Sequence, residues 1–409
     1  MKILVVSPVP TDPPNAGNRV RIATLAQALA TSGHDVHFAY VPMEQADTEA
    51  MAARFSPARL HMLPWARRGG ARLLALRALR KLGRLLKLDA GYMLGLDEWY
   101  DERITHALRD LHAAHRFDAV LVEYVFMSKA LQAFGPGCLR LLDAHDSFGM
   151  RHRHYLASGL IPQWYSTSLA GEEAGFRRAD VVLAIEANEA RAFARRLAGS
   201  GTSVVQVGHL IDIGEPVPPS DAPNLLFVGS GNLLNVQGAR FFSEQVLPLI
   251  RKERPDVQLL LAGGVAAQVP DGPGIVKLGF VPRLQQAFAQ AMVFVNPVLA
   301  GTGVNIKLLD ALAAGMPIVS TTSGARGLDE HGSGAFAVVA DIDALGFARE
   351  VVKLIGDANA RARLRTRAHD AALNWNTAQL ASLHATLDAG GPSETVTLAS
   401  LQFEKAHAP

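Results

Sequence analysis

Thirteen short apolar runs, each bounded by Gly, Pro, Asp or His and separated by stretches of helical period, constrain this 409-residue chain more than any other feature. Such runs, alternating with helices, are the mark of βα repeats and of a parallel sheet buried on both faces. The spacing predicts strands at 2–7, 35–41, 59–63, 118–124, 139–144, 180–185 and 203–207, then a fresh series at 224–229, 257–262, 275–281, 292–298, 317–321 and 335–340. Between the series, LIDIGEPVPPSDAP (210–223) carries four prolines and little periodicity, as a linker does. The expectation is an α/β protein of two doubly wound, Rossmann-like domains, 1–210 and 224–375, joined by a linker at 211–223 and facing each other across a cleft. The segment 357–391 reads as helix with a kink near Asn374–Thr377. Its later part, about 376–390, is expected to pack back on the first domain, with 392–409 as a loose tail.

Composition narrows the class. Hydrophobic residues make up 49% and charged residues 19%, which suits packed domains, and a formal charge of +2 gives no global field toward nucleic acid. The single Cys138 excludes a disulfide framework and zinc-finger spacing, so a reducing, cytoplasmic setting is expected. The apolar run of MKILVVSPVP stops at Pro8, too short for a leader or a span, and reads as a buried strand.

The stretch GTGVNIKLLDALAAGMPIV (301–319) follows a strand, so Gly301 and Gly303 fall in a strand-to-helix turn, with Thr302 or Asn305 as N-cap of a helix over about 306–314. Free N–H groups at such a turn favour an anion, and glycine lets the backbone approach it. Lys307 sits in the first turn, where a cation opposes the helix dipole unless it meets a phosphate. Asp310 shares its face and can accept from vicinal ribose hydroxyls; the alternative is a surface Lys–Asp pair. A second turn, FVGSGNLLN, places Gly229, Ser230, Gly231 and Asn232 after the first strand of the second series, either as a phosphate loop or as the turn the crossover requires. In the first series, Gly17 and Arg19 open a helix, with Arg21 close by, and the arginines face a ligand or solvent. Glu123, Tyr124, His145 and Asp146 stand at strand carboxyl ends, from which open sheets reach ligands. His152 and His154 resemble a metal pair but lack a carboxylate or cysteine at ligand spacing, and no metal is expected.

RRGGARLLALRALRKLGRLLKL (67–88) contains no acidic residue. On a helix Arg77, Arg80, Lys81, Arg84 and Lys87 share one arc and Leu74, Leu79, Leu82, Leu85 and Leu86 the opposite one. This is the pattern of an interfacial helix on anionic lipid, or of an ordinary amphipathic helix with a basic outer face.

Residues 277–328 resemble the nucleotide-sugar-binding region of retaining glycosyltransferases of family 4, group 1, with the GT-B fold. The segments 227–264 and 15–36 resemble that family's first C-terminal βα unit and its N-terminal glycine loop. The resemblance implies that Asp310 stands for the glutamate holding the donor's ribose, while the family's other motif glutamate falls on Thr302. The usual cationic clamp falls on Ser230, Gly231, Asn232 and Asn235, which leaves Lys307 as the main cation for the leaving diphosphate. It further implies that Gly17 and Arg19 approach the diphosphate, that Gly301, Gly303, Val304 and Asn305 line the donor site, and that His145 lies near the reacting sugar. The implied activity is metal-independent transfer, without a cofactor, from a nucleoside-diphosphate sugar to a lipid-linked or glycan acceptor in surface polysaccharide or glycolipid synthesis. The expected place is the inner membrane face, with Arg77, Arg80, Lys81, Arg84 and Lys87 toward lipid or acceptor. A nucleotide-sugar epimerase and a non-catalytic partner of another transferase are the alternatives.

Overall fold

The strands that the apolar runs anticipate all form in the computed structural model, each within two residues of its expected ends. The structure describes residues 1–14, 16–66, 71–157, 161–162, 164–300, 304–328 and 334–390, with the side chains of 71–73 left aside. In the first sheet, β1 (Lys2–Ser7), β2 (Asp35–Tyr40), β3 (Leu60–Met62), β4 (Ala119–Glu123), β5 (Leu139–Asp143), β6 (Val181–Ala184) and β7 (Ser203–Gln206) lie in the order β3-β2-β1-β4-β5-β6-β7. In the second, β8 (Asn224–Val228), β9 (Gln258–Ala262), β10 (Ile275–Gly279), β11 (Val293–Asn296), β12 (Ile318–Thr321) and β13 (Ala337–Val339) run β10-β9-β8-β11-β12-β13. Every described pairing between these strands is parallel.

The apolar runs are continuous because both faces of each strand are covered. Along β8, Leu226 and Val228 enter one core cluster while Leu225 and Phe227 enter the other; β9 splits its leucines in the same way. Each order reverses once, between β1 and β4 and between β8 and β11, and open sheets of this kind take their ligands beyond the carboxyl ends at that switch point.

By internal contacts the chain divides into a first unit, Met1–Gly208 with the chain from Leu380 onward, and a second, His209–Gln379. The proline-rich stretch is held within the second unit. Asn376 exchanges two hydrogen bonds with the backbone of Ile211 at 3.0 and 2.7 Å, Trp375 Nε1 donates to His209 O at 2.7 Å, and Arg365 donates to Val217 O. The helix Ala358–Asp388 passes through Asn374–Thr377 unbroken, where a kink was expected. Thr377 there returns its hydroxyl to Leu373 O at 2.8 Å, so the polar residues of this turn bond within the helix or to the proline-rich stretch. In the first unit, His384 on the same helix reaches Ser32 Oγ at 2.9 Å, and Leu383 and Leu387 are buried. Residues 392–409 lie outside the described residues.

Candidate functional site

In the second unit the switch point is flanked by the turns after β8 and β11. Gly301, Thr302 and Gly303 lie outside the described residues, and the description resumes at Val304. Asn305 is the N-cap of the helix Ile306–Ala313, its Oδ1 accepting from Lys307 N at 3.1 Å. Asn305 is itself positioned from below, since its Nδ2 donates to Asn296 Oδ1 at 3.0 Å and Asn296 Nδ2 donates to Ser320 Oγ and Gly324 O, each at 3.0 Å. Thr321 Oγ1 ties the start of the turn by donating to Val298 O. Asn296, Ser320 and Thr321 are fully buried, a polar floor the sequence reading missed; its only trace there is an Asn ending the apolar run VFVN.

Lys307 and Asp310 occupy one helix face and are both half-buried. No hydrogen bond or ion pair to the Lys307 ammonium or the Asp310 carboxylate exists among the described residues, including one to each other. Burial pushes Asp310 up to about 6, with Lys307 opposing only in part, and burial likewise holds Lys307 below its usual value. A paired surface Lys–Asp would show neither.

The turn after β8 is a close crossing of two backbones. A Cβ on Gly263, whose φ is +87°, would stand 2.4 Å from Gly229 O, and one on Gly264 would stand 2.8 Å from Gly231 N. Asn232 caps the helix Leu233–Phe241 by accepting from Asn235 N at 2.9 Å, and Asn235 Nδ2 donates to Ser230 O and Oγ. Ser230, Gly231 and Asn232 are exposed, so the loop presents polar groups and a cap outward while its glycines serve the crossing.

In the first unit, residues from three elements meet at the sheet's carboxyl edge. Arg21, expected at a ligand or in solvent, is buried and forked onto Asp143 at 2.7 and 2.9 Å, with its remaining donors on Val207 O and Gly208 O. His145 Nε2 lies 2.5 Å from Glu123 Oε2 and 3.6 Å from Asp143 Oδ2, and its ring stacks on Tyr124 with centroids 3.9 Å apart. His145 and Tyr124 both hold positive φ, 60° and 70°, a strain typical of functional turns. Burial raises Glu123 to about 7, Asp143 adding to it and His145 opposing; Asp143 itself is opposed by burial but held low by Arg21 and His145. Glu123 Oε2 is engaged by His145 Nε2, and Glu123 Oε1 is buried with no partner among the described residues. Gly17 starts the helix Gly17–Thr31 in an exposed position; Asn18 donates to Tyr124 Oη at 2.9 Å, and Arg19 is tied to Glu44 at 2.8 Å. His152 is buried between Asp89 and Ser166, at 2.9 and 2.8 Å, a satisfied core histidine, while His154 is exposed.

The basic helix spans Ala71–Leu85 and is held through Gly83, whose absent Cβ lets Gly91 approach. Leu74, Leu79, Leu82, Leu85 and Leu86 are all more than half exposed. Arg77, Lys81, Arg84 and Lys87 have no carboxylate partner among the described residues, whereas Arg80 is turned inward onto Glu98. Arg77 and Arg80 line one side of a cavity of about 420 Å³ near the carboxyl ends of β1 and β2, walled by Trp65, Trp99, Phe126 and Trp164. No described helix is long and apolar enough to cross a membrane.

Residues 222–357 match the family model described as glycosyl transferases group 1. A protein of Klebsiella pneumoniae, described as an uncharacterized 44.6 kDa protein in the cps region, is 33% identical over 144 residues, 32% of this chain and 36% of that protein's length. Among solved structures, TarM of S. aureus in complex with UDP superposes with a TM-score of 0.65 at 8% identity, over 96% of this chain and 100% of that one. HepE of Anabaena with UDP and glucose gives 0.57 at 16% identity, over 94% and 100%, and the pneumococcal O-GlcNAc transferase GtfA with UDP and GlcNAc gives 0.60 at 10%, over 95% and 99%. These likenesses show the GT-B fold; the match to the group 1 glycosyl transferases is confined to residues 222–357.

Proposed function

We propose that this chain is a retaining glycosyltransferase that moves a sugar from a nucleoside diphosphate to a lipid-linked or glycan acceptor in polysaccharide or glycolipid synthesis. One observation carries the reading: Lys307 and Asp310, half-buried on one face of the helix Ile306–Ala313, have no hydrogen bond or ion pair among the described residues. In this reading Asp310 accepts from the ribose hydroxyls and Lys307 balances the diphosphate. The N–H groups at the helix start, with the exposed Ser230–Asn232 turn, complete the anion site. Charge grows on the leaving phosphate as the glycosidic bond breaks, so fixed donors in a partly dehydrated site lower that barrier, and the phosphate takes the acceptor proton. No resident metal or cofactor enters the scheme. The UDP bound by HepE, TarM and GtfA supports a nucleotide donor.

The acceptor half falls to the first unit. His145, held by Glu123, lies at the carboxyl edge where a sugar hydroxyl can be oriented, and the tryptophan-walled cavity offers flat apolar faces for pyranose rings beside the Arg77 guanidinium for a phosphate. The exposed leucines of the neighbouring helix, flanked by unpaired cations, suit peripheral attachment to an anionic membrane, which would bring a lipid-linked acceptor to that cavity. The test is a thermal-shift panel of nucleotide sugars followed by product analysis with and without acceptor. One donor should raise the melting temperature and give transfer only with acceptor. Binding of none by folded protein favours the non-catalytic alternative, and conversion without acceptor favours the epimerase.

A further inference from the structure

We propose that His37, His61 and His115 form a binding site for a divalent transition metal, zinc by preference, that fastens the β3 edge of the first sheet. The three rings come from β2, β3 and the last residue of the helix Glu102–His115, and they converge with centroids 5.3, 4.8 and 5.3 Å apart. One nitrogen from each lies within 4.8 Å of the others, and His37 Nδ1 is 2.9 Å from His61 Nε2. In a tetrahedral site with Zn–N bonds of ~2.0–2.1 Å the ligand nitrogens stand about 3.3 Å apart, so small ring movements close the set.

The surroundings fit as well. His37 turns its other nitrogen toward Asp35 Oδ2 at 3.6 Å, the carboxylate support that metal-bound histidines commonly have, and Asp35 is itself fixed by Arg59 at 2.7 Å. Phe117 packs on His37 and His115 at 5.2 and 5.6 Å and gives the site an apolar wall. His61 and His115 are only half-buried, leaving an entry path and a fourth position for water, and the His115 ring has no hydrogen bond among the described residues. On binding, the metal replaces the proton between His37 Nδ1 and His61 Nε2, which moves to the other nitrogen of the ring that carried it. Asp35 opens β2 and His115 precedes β4, so the cluster lies toward the amino ends of the strands, away from Glu123 and His145. Its role is to pin a three-residue edge strand to a helix.

Untagged full-length protein, stripped with chelator, would be titrated with zinc chloride by calorimetry, and with cobalt chloride for the visible bands of a tetrahedral centre. One ion per chain is expected, with a raised melting temperature. His61→Asn with His115→Gln should weaken binding by at least ~100-fold and Asp35→Asn by roughly 10–100-fold. Glu123→Gln should leave it unchanged, which matters because Glu123, Asp143 and His145 also converge. Circular dichroism confirms that each variant is folded, and the single variant His115→Gln serves if the double does not fold. Absence of stoichiometric binding by the stripped protein would overturn the assignment. So would binding lost in Glu123→Gln and kept in the histidine variants.

Discussion

Replacing Asp310 with Asn should make the empty protein more stable at pH 8 while removing its affinity for the donor. Burial disfavours the ionised form and pushes the folded carboxyl up to about 6, above its ordinary 3.8. Between those values the folded chain binds the proton more tightly than the unfolded one, so stability falls as pH rises through the window. The cost is absent below pH 4 and complete above about pH 6. The rise from 3.8 to about 6 corresponds to roughly 3 kcal/mol. Asn loses the attraction to Lys307, which is also desolvated, so the expected gain at pH 8 is about 1–2 kcal/mol, shrinking to nothing near pH 4. Urea melts of both proteins at pH 4.5, 6 and 8, with and without the donor found by the panel, measure this. Donor at 100-fold its dissociation constant should stabilise the native chain by about 2.7 kcal/mol and the variant by none. A variant less stable than the parent at every pH would mean that the carboxylate braces its own helix, and the ligand-site reasoning would fail.

Lys307→Met should weaken nucleotide binding by ~10–150-fold, the loss of a charge-assisted contact, while the melting temperature of the empty protein holds or rises; calorimetry reads both. Glu123→Gln should remove from the pH–rate profile a limb near 7, and should abolish the fall in stability that the raised Glu123 value produces as pH climbs from about 4.5 to 7. An unchanged profile refutes the raised Glu123 value. Charge reversal at Arg84 and Lys87 should end flotation with anionic liposomes and spare neutral-acceptor activity; continued flotation would retire the membrane assignment. Gly263→Ala places a methyl against Gly229 O in a left-handed residue and should cost about 1–3 kcal/mol in urea melts.

Much of the architecture was legible because it depends on local periodicity. A strand covered on both faces must be apolar throughout, so the run NLLFV declares itself without knowledge of its neighbours, and the cap at Asn305 is a matter of residues two apart. Polar residues that act through distant partners were not legible. Asn296 reads as the end of an apolar run until β12 brings Ser320 beside it; Arg21 reads as solvated until β5 brings Asp143; Arg80 reads as part of a cationic arc until Glu98 claims it.

The order of residue types therefore determined that there are two parallel sheets and where their strands begin and end. Tertiary packing alone decided which charges are spent on each other and which are left free. That depends on whether a partner arrives through space, over separations such as the 122 residues between Arg21 and Asp143. It also depends on how much water burial removes, and neither quantity is written in any local stretch of the chain. Lys307 and Asp310 are three residues apart in the sequence; only the fold leaves both half-buried and without a partner among the described residues.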